Sequence, residues 1–173
     1  MRSLPARSPL PRRRFSRAEW VLHPGLRYYA ELESESGRLL IELLRESAPR
    51  TVNAFVFLAL HRFYDGLAWH RVVPGFVVQT GDPTGDGGGH AGFFVPLELD
   101  PALTYDDAGW VGLARRAGDL RGSSQFFITL APAPRLDCRY TLFGRLLRGR
   151  EVLPSIVQGE RLQTVRILVE ENG

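Results

Sequence analysis

The stretch that decides the fold runs Trp69-His70-Arg71-Val72-Val73-Pro74-Gly75-Phe76-Val77-Val78-Gln79-Thr80-Gly81-Asp82. It predicts a hairpin of two short apolar strands that meet at Pro74-Gly75. Because side chains alternate along a strand, Arg71 points away from its neighbours, and we expect Phe76 near it across the turn, with Gln79 further along. An arginine held over an apolar slot can hydrogen-bond one carbonyl of a bound chain while the slot takes an apolar ring. A site that handles proline needs this geometry; a buried hairpin whose Arg71 serves a structural ion pair is the alternative.

The composition fits one globular domain. With 173 residues, 44% of them hydrophobic and 24% charged, the chain can bury a good core. The formal charge of +3 depends on six arginines within the first 17 residues, and the remainder is slightly acidic. We therefore expect no specific nucleic-acid surface, although nonspecific, salt-dependent binding through the arginine run is an alternative.

The first 17 residues differ from the rest of the chain. They hold three prolines and six arginines with little apolar content, so the sequence predicts a disordered basic tail over 1–17 ahead of a domain over 18–173. The pair Arg12-Arg13 is similar to a twin-arginine export signal, but the residues after it are too polar. No apolar run could span a bilayer, and the single Cys138 excludes an internal disulfide. These features favour a cytoplasmic protein that does not enter the membrane, and we expect a monomer.

Hydrophobic periodicity predicts mostly strands. Alternation over 26–33 and 38–43, with a turn between, indicates a hairpin. Ser47 before Pro49 predicts the start of a helix, with Ser47 capping its free amides. A second, short helix is expected over 150–157. Further strands are predicted near 67–72, 75–80, 93–97, 109–114, 125–130, 140–146 and 161–169.

These elements indicate a mainly β protein. About eight strands and one or two helices follow each other without a βαβ alternation, and the connections within strand pairs are short. A closed antiparallel β-barrel fits this order, since closure removes exposed strand edges.

A glycine-rich loop over 81–89 follows the opening stretch. A phosphate-binding loop needs a helix directly after it and usually a lysine, and the sequence shows neither. We expect these glycines to let the backbone pass close to a bound chain.

Several stretches together resemble the cyclophilin family of peptidyl-prolyl isomerases, from about Tyr28 to Val169. The spacing is similar to that of bacterial single-domain members. The resemblance implies an eight-stranded antiparallel barrel capped by two α-helices. The stretches are Ala48-Pro49-Arg50-Thr51-Val52-Asn53-Ala54-Phe55, Trp69-His70-Arg71-Val72-Val73-Pro74-Gly75-Phe76, Gln79-Thr80-Gly81-Asp82-Pro83-Thr84-Gly85, Ser124-Gln125-Phe126-Phe127-Ile128 and Leu142-Phe143-Gly144-Arg145-Leu146.

The resemblance also implies functional residues. It makes Arg71 the catalytic arginine, which hydrogen-bonds the prolyl carbonyl, and it makes Ala114 and Arg115 the segment beside the residue that precedes proline. The reaction rotates a bond without breaking it, so neither metal nor cofactor is expected. The partners would be proline-containing peptides and unfolded or folding proteins. The implied catalytic set is Arg71, Phe76, Gln79, Gln125 and Phe127, and the implied substrate-binding set is Val77, Ala114, Arg115, Leu136 and Tyr140.

Several positions depart from the commonest family pattern. Asp86, His90 and Ala91 alter the glycine-rich loop. Val77 stands where methionine is common, and Tyr140 stands where many members have histidine. Arg135 stands where many eukaryotic members have a tryptophan tied to cyclosporin binding, so we predict weak cyclosporin binding.

Two other functions are alternatives. The same groove could hold proline segments without useful catalysis, as a binding module or chaperone. A hydrolase built on His70, His90 or Asp82 is disfavoured, because Ser123 and Ser124 show no nucleophile-elbow pattern.

Overall fold

The computed structural model describes all 173 residues. It contains eleven strands, one α-helix and two 3₁₀ turns, at Pro134–Leu136 and Leu153–Ser155. No helix has both the length and the apolar character needed to cross a membrane. The elements are β1 (Arg2–Ser3), β2 (Leu26–Ser34), β3 (Gly37–Leu43), α1 (Pro49–Leu60), β4 (Leu67–Ala68), β5 (Arg71–Val73), β6 (Val77–Thr80), β7 (Val95–Pro96), β8 (Trp110–Arg115), β9 (Arg121–Thr129), β10 (Leu142–Arg148) and β11 (Arg161–Glu171).

The strands form one antiparallel sheet in the order β1-β11-β2-β3-β10-β8-β9-β6-β5, with β4 on β11 and β7 on β9. Only Trp69 and His70 separate β4 from β5, so one segment pairs with β11 at its start and with β6 at its end. The Trp69 backbone also donates to Glu160 O and accepts from Gly159 N, both at 2.9 Å. This segment joins the two ends of the sheet. The predicted mainly β barrel is confirmed, and the eight strands of three or more residues match the expected number.

The barrel interior is packed with aromatic side chains. Phe126 on β9 is fully buried, and its ring meets those of Phe55, Tyr64 and Trp69 edge-on at 5.4–6.4 Å. Trp69 donates from Nε1 to Ser34 Oγ at 3.1 Å, which satisfies its one polar atom. Helix α1 covers one end of the barrel and buries ten of its twelve residues. A rigid frame of this kind holds the outer side chains of β5, β6, β8 and β9 in fixed positions.

Helix α1 begins differently from the prediction. The residue at its N-cap position is Ala48, which has no side-chain hydrogen bond to offer, and Ser47 Oγ donates to Asp100 Oδ2 at 2.8 Å. The free amides of Arg50 and Thr51 donate to the carboxylate of Glu98 at 3.1 and 2.7 Å. A carboxylate also suits the positive end of the helix dipole. The predicted Ser47 cap was wrong because Glu98 reaches this helix from a distant loop.

The second predicted helix was also wrong. Over 150–157 only Leu153–Ser155 forms a 3₁₀ turn. Pro154 has no N–H to donate, which prevents a longer helix. Leu153 and Ile156 are nevertheless buried and pack into the main core. The barrel therefore carries one α-helix, and this tight turn takes the place of a second.

Residues 1–17, which we call the arm, follow a defined path where composition predicted a disordered tail. Strand β1 pairs with β11, and the Arg7 amide donates to Leu60 O at 2.7 Å. Near its end, the Phe15 amide donates to Ala91 O at 2.8 Å. The Phe15 ring packs against the rings of Phe57 and His61, at 4.9 and 5.1 Å between ring centres. The arm covers the C-terminal end of α1 and reaches the segment that follows the glycine-rich loop.

Replacing Phe15 with alanine should lower the free energy of unfolding by about 2 to 3 kcal/mol, which is the value of burying one phenyl ring. The loss of stability should not exceed this range, because the arm can detach from the domain while the barrel stays folded. Urea melts of the variant and of Leu10→Ala, which removes a side chain 72% exposed on the same arm, give the comparison. Equal stability of both variants and the wild type would show that the arm does not dock in solution.

Candidate functional site

The register of four strands places the opening residues in one row. Arg71 on β5 pairs with Gln79 on β6, Gln79 pairs with Phe127 on β9, and Phe127 pairs with Gly112 on β8. Directly paired residues share a face of the sheet. Gln125 lies two positions from Phe127 and so shares that face. The row therefore crosses the outside of the barrel, opposite the main core.

A chain of amide hydrogen bonds supports Arg71. Its Nη1 donates to Gln79 Oε1 at 3.4 Å, and Gln79 Nε2 donates to Gln125 Oε1 at 3.0 Å. Gln125 Nε2 donates in turn to the carbonyls of Gly87 and Gly89 at 3.0 and 2.9 Å. None of the eight ion pairs in the structure involves Arg71. The ion-pair interpretation of Arg71 was therefore wrong, and most of its hydrogen-bonding capacity is free.

A cavity of about 480 Å³ opens beside Arg71, and we call it the apolar cavity because its floor is apolar. Val77, Phe127 and Leu136 are each less than 8% exposed and form its floor. The Tyr140 ring meets Phe127 edge-on at 5.7 Å. This apolar cavity is lined by His70, Arg71, Phe76, Val77, Gln79, Gly85, Asp86, Gly87, Ala114, Arg115, Phe127, Leu136 and Tyr140.

Gly112 and Tyr105 lie behind the floor of the apolar cavity, and neither was among the predicted site residues. A Cβ on Gly112 would overlap the Phe127 ring and lie 2.5 Å from Tyr105 Oη. Only glycine at this position allows the Phe127 ring to occupy its observed position. Tyr105 is 1% exposed, donates to Tyr140 O at 3.2 Å and has its ring 5.8 Å from Phe127. Burial raises the pKa of its phenol. The register between β8 and β9 reveals Gly112, whereas Tyr105 reaches Phe127 from the loop before β8.

Two arginines lie on aromatic rings at the rim of the apolar cavity. The Arg135 guanidinium lies 3.9 Å from the centre of the Phe76 ring. Arg115 lies 4.8 Å from the Tyr140 ring and donates from Nε to Arg139 O at 2.9 Å. Cation–π contacts of this kind hold both partners in place. The rim therefore presents positive charge around an apolar floor.

Asp82 fixes the shape of the glycine-rich loop. It is 1% exposed, and its carboxylate accepts the Thr84 amide and hydroxyl, each at 2.8 Å, and the Gly87 amide. Burial opposes its ionisation, but these hydrogen bonds prevail and lower its pKa below the ordinary 3.8. Gly87 and Gly89 in turn orient Gln125, so Asp82 supports the site without facing it.

The variant Asp82→Asn should lose about 2 to 3 kcal/mol of stability at pH 7, because an amide cannot accept all three hydrogen bonds. The pKa of Asp82 is depressed in the folded state, so its contribution is present above pH 3.8 and is lost as pH falls through the folded-state pKa. Urea melts at several pH values should show the difference between wild type and variant shrinking below about pH 4. The exposed Asp106→Asn is the control. A pH-independent difference would contradict the role given to the carboxylate.

The residues weighed for a hydrolase do not form one. Ser124 Oγ donates to Gly81 O at 2.7 Å, and Ser123 Oγ accepts the Ala91 amide at 2.9 Å. Both ring nitrogens of His70 are buried without a hydrogen-bond partner, and burial lowers its pKa. His90 Nδ1 accepts the Gly92 amide at 3.0 Å. No serine is paired with either histidine, and no group of three or more His, Cys, Asp or Glu side chains is placed to hold a metal ion.

The structure brings the predicted site residues together. Nine of the ten line the apolar cavity, and Gln125 lies beside it, in a second cavity that shares Gln79. Gly85, Asp86 and Gly87 also line the apolar cavity, and they belong to the glycine-rich loop that was expected to lie close to a bound chain. His70 lines it too, although it was not among the predicted site residues.

Comparison with known proteins gives one consistent family. Residues 29–171 match the sequence model described as cyclophilin-type peptidyl-prolyl cis-trans isomerase. The chain is 46% identical to peptidyl-prolyl cis-trans isomerase ppi1 of Schizosaccharomyces pombe over 125 residues, which cover 70% of this chain and 80% of that protein. It is 44% identical to peptidyl-prolyl cis-trans isomerase-like 1 of Gibberella zeae, over 68% of this chain and 74% of that one.

Solved structures agree with the sequence matches. A crystal structure of a cyclophilin-type peptidyl-prolyl cis-trans isomerase from Cryptosporidium parvum superposes with a TM-score of 0.73 at 27% identity, covering 85% of this chain and 99% of that one. The same protein in the presence of the dipeptide Ala-Pro also gives 0.73, at 28% identity, covering 83% and 99%.

Proposed function

Because the chain belongs to the cyclophilin-type peptidyl-prolyl cis-trans isomerase family, we propose that it rotates X–Pro bonds at the apolar cavity, with Arg71 as the catalytic cation. That the chain is a peptidyl-prolyl cis-trans isomerase follows from its relatives. The placement of the reaction rests on one observation. Arg71 has no carboxylate partner and lies at the rim of the apolar cavity.

The chemistry requires a twisted amide to be bound better than either planar form. Partial double-bond character gives the X–Pro bond a rotation barrier of ~18–20 kcal/mol. Twisting makes the proline nitrogen pyramidal and leaves a lone pair on it. Arg71 hydrogen-bonds the prolyl carbonyl and favours that geometry of the nitrogen. No covalent bond breaks, so the protein needs only to hold the proline ring and to polarise the prolyl amide.

The apolar cavity holds the ring while the preceding chain turns. Phe76, Val77, Phe127 and Leu136 surround the proline, and Tyr140 supports Phe127. Each tenfold in rate needs ~1.4 kcal/mol of differential binding, so a ~10⁵-fold gain needs about 7 kcal/mol. One hydrogen bond to a charged group supplies about 1.5 to 3 kcal/mol of this. The rest comes from desolvation and from fixing the ring.

Polar residues beside the cavity orient the bound backbone. Gln79 and Gln125 hold Arg71 through their hydrogen bonds and offer further groups to the substrate. Ala114 and Arg115 lie at the end of β8, where the segment before the proline passes. The catalytic residues are therefore Arg71, Phe76, Gln79, Gln125 and Phe127.

Kinetics on short peptides test this function. In a protease-coupled assay, the wild type should accelerate cis-to-trans conversion of X–Pro peptides with varied X, and it should speed a refolding reaction limited by proline isomerisation. Binding of such peptides without any acceleration would instead support a binding module or chaperone.

We also propose a cytoplasmic monomer that binds cyclosporin weakly. Arg135 lies on Phe76, where an aromatic side chain would be needed to cover the drug. Titration with cyclosporin should show a Kd that falls on Arg135→Trp, and sedimentation should give one mass of 19.4 kDa. Wild-type binding as tight as that of Arg135→Trp would contradict the role of this position.

A further inference from the structure

A second cavity of about 310 Å³ adjoins the apolar cavity. The two share Gln79, Gly87, Ala114 and Arg115, so a chain lying in one continues into the other. This polar cavity has only two hydrophobic residues among its 14 lining residues, Phe94 and Ala114. Its chemistry therefore differs from that of the proline-binding floor next to it.

Three arginines and one acid line the polar cavity. Arg116 donates from Nη2 to Gly88 O at 3.0 Å across the cavity, and its other N–H groups are free. The Arg121 guanidinium lies 4.9 Å from the Phe94 ring and 3.3 Å from Asp119 Oδ1. Arg115 donates only to backbone carbonyls. Asp119 is the one carboxylate in the lining, so the net charge is positive.

This positive charge is a local feature. Residues 18–173 hold 16 arginines against 19 acidic residues. The domain that carries the groove is therefore acidic, yet the polar cavity and the rim of the apolar cavity are basic. Positive charge at the groove attracts an acidic segment over short range.

We propose that the polar cavity binds an acidic side chain of the proline-containing chain, at two or three residues before the proline. The inference rests on the proposed function, because it needs the proline in the apolar cavity. The fork of N–H donors on a guanidinium matches a carboxylate. Ala114 and Arg115 flank both cavities, and the residue before proline passes along them, so the polar cavity lies upstream. Arg116 and Arg121 are then specificity-determining residues.

Matched peptides test the preference. Each peptide contains a Phe-Pro core and carries Glu, Gln or Lys at one position outside that core. The positions tested run from four residues before the core to two residues after it. We expect the wild type to favour Glu over Gln two or three residues before proline by about 5- to 30-fold in kcat/KM, the range for partly exposed charged hydrogen bonds. The preference should fall as salt rises, since exposed charges are screened.

Charge reversal identifies the residues. The double variant Arg116→Glu with Arg121→Glu should prefer Lys over Glu at the same position. Arg148→Glu makes the same kind of charge change at an exposed residue that lines neither cavity, and it should keep the wild-type preference. The Kd of each peptide, measured by fluorescence, reports the preference independently of turnover.

The outcomes separate the two proposals. Absence of isomerisation of every peptide would overturn the proposed function, while the Kd values would still report on the subsite. Isomerisation with equal kcat/KM and equal Kd for Glu and Gln peptides would overturn the subsite alone. A Glu preference that survives the double reversal would also overturn the assignment to Arg116 and Arg121.

Discussion

Replacing Arg71 with alanine is expected to lower kcat/KM for an X–Pro peptide by about 10- to 150-fold, the value of one hydrogen bond to a charged group. The loss should lie mainly in kcat, because the bond to Arg71 strengthens as the amide twists. Stability should change by less than about 0.5 kcal/mol, since the side chain is exposed and makes one long hydrogen bond. A protease-coupled assay and a urea melt give the two values.

Two variants control this experiment. Arg71→Lys keeps the charge but loses the planar fork, so its activity should lie between those of wild type and Arg71→Ala. Arg148→Ala removes an exposed arginine outside both cavities and should match the wild type in both measurements. If Arg71→Ala lost stability in proportion to activity, Arg71 would be a structural residue.

Replacing Phe127 with alanine is expected to lower both stability and turnover. The ring is 4% exposed and packs with Tyr105 and Tyr140, so its removal should cost about 3–5 kcal/mol and roughly 6–20 °C in Tm. It also removes part of the floor of the apolar cavity. We expect kcat/KM of the folded protein to fall by about tenfold or more, because the proline ring loses buried contact. Thermal melts and peptide kinetics measure the two effects.

The neighbouring residue provides a matched control. Phe126 is the same residue type on the same strand, but it points into the main core. Phe126→Ala should lose similar stability while the folded fraction keeps near wild-type kcat/KM. If both variants lost kcat/KM to a similar extent, the loss would come from general destabilisation of the barrel. That result would contradict the role of Phe127 as part of the cavity floor.

The strands could be predicted because their pattern is local. Alternation over 26–33 and the Pro74-Gly75 turn each depend on neighbours in sequence, and both appear in the structure. The candidate residues could be named from the family resemblance. Their arrangement could not, because the row from Arg71 to Gly112 depends on the register between strands far apart in sequence.

Long-range contacts explain the other differences. Glu98, and not Ser47, accepts the free amides at the start of α1. Glu98 lies at least 47 residues away from these amides in sequence. The charge and proline content of the arm predicted disorder, yet the Phe15 ring packs against Phe57 and His61. One buried ring and a few backbone hydrogen bonds can fix a segment whose composition alone indicates disorder.

Exchange NMR on one X–Pro peptide tests most directly whether Arg71 over the apolar cavity carries out the reaction. Catalytic amounts of the wild type should produce exchange cross-peaks between the cis and trans forms, which interconvert too slowly on their own. Arg71→Ala at equal concentration should lose most of this exchange while peptide signals still report binding. Undiminished exchange with Arg71→Ala would contradict the central role of Arg71.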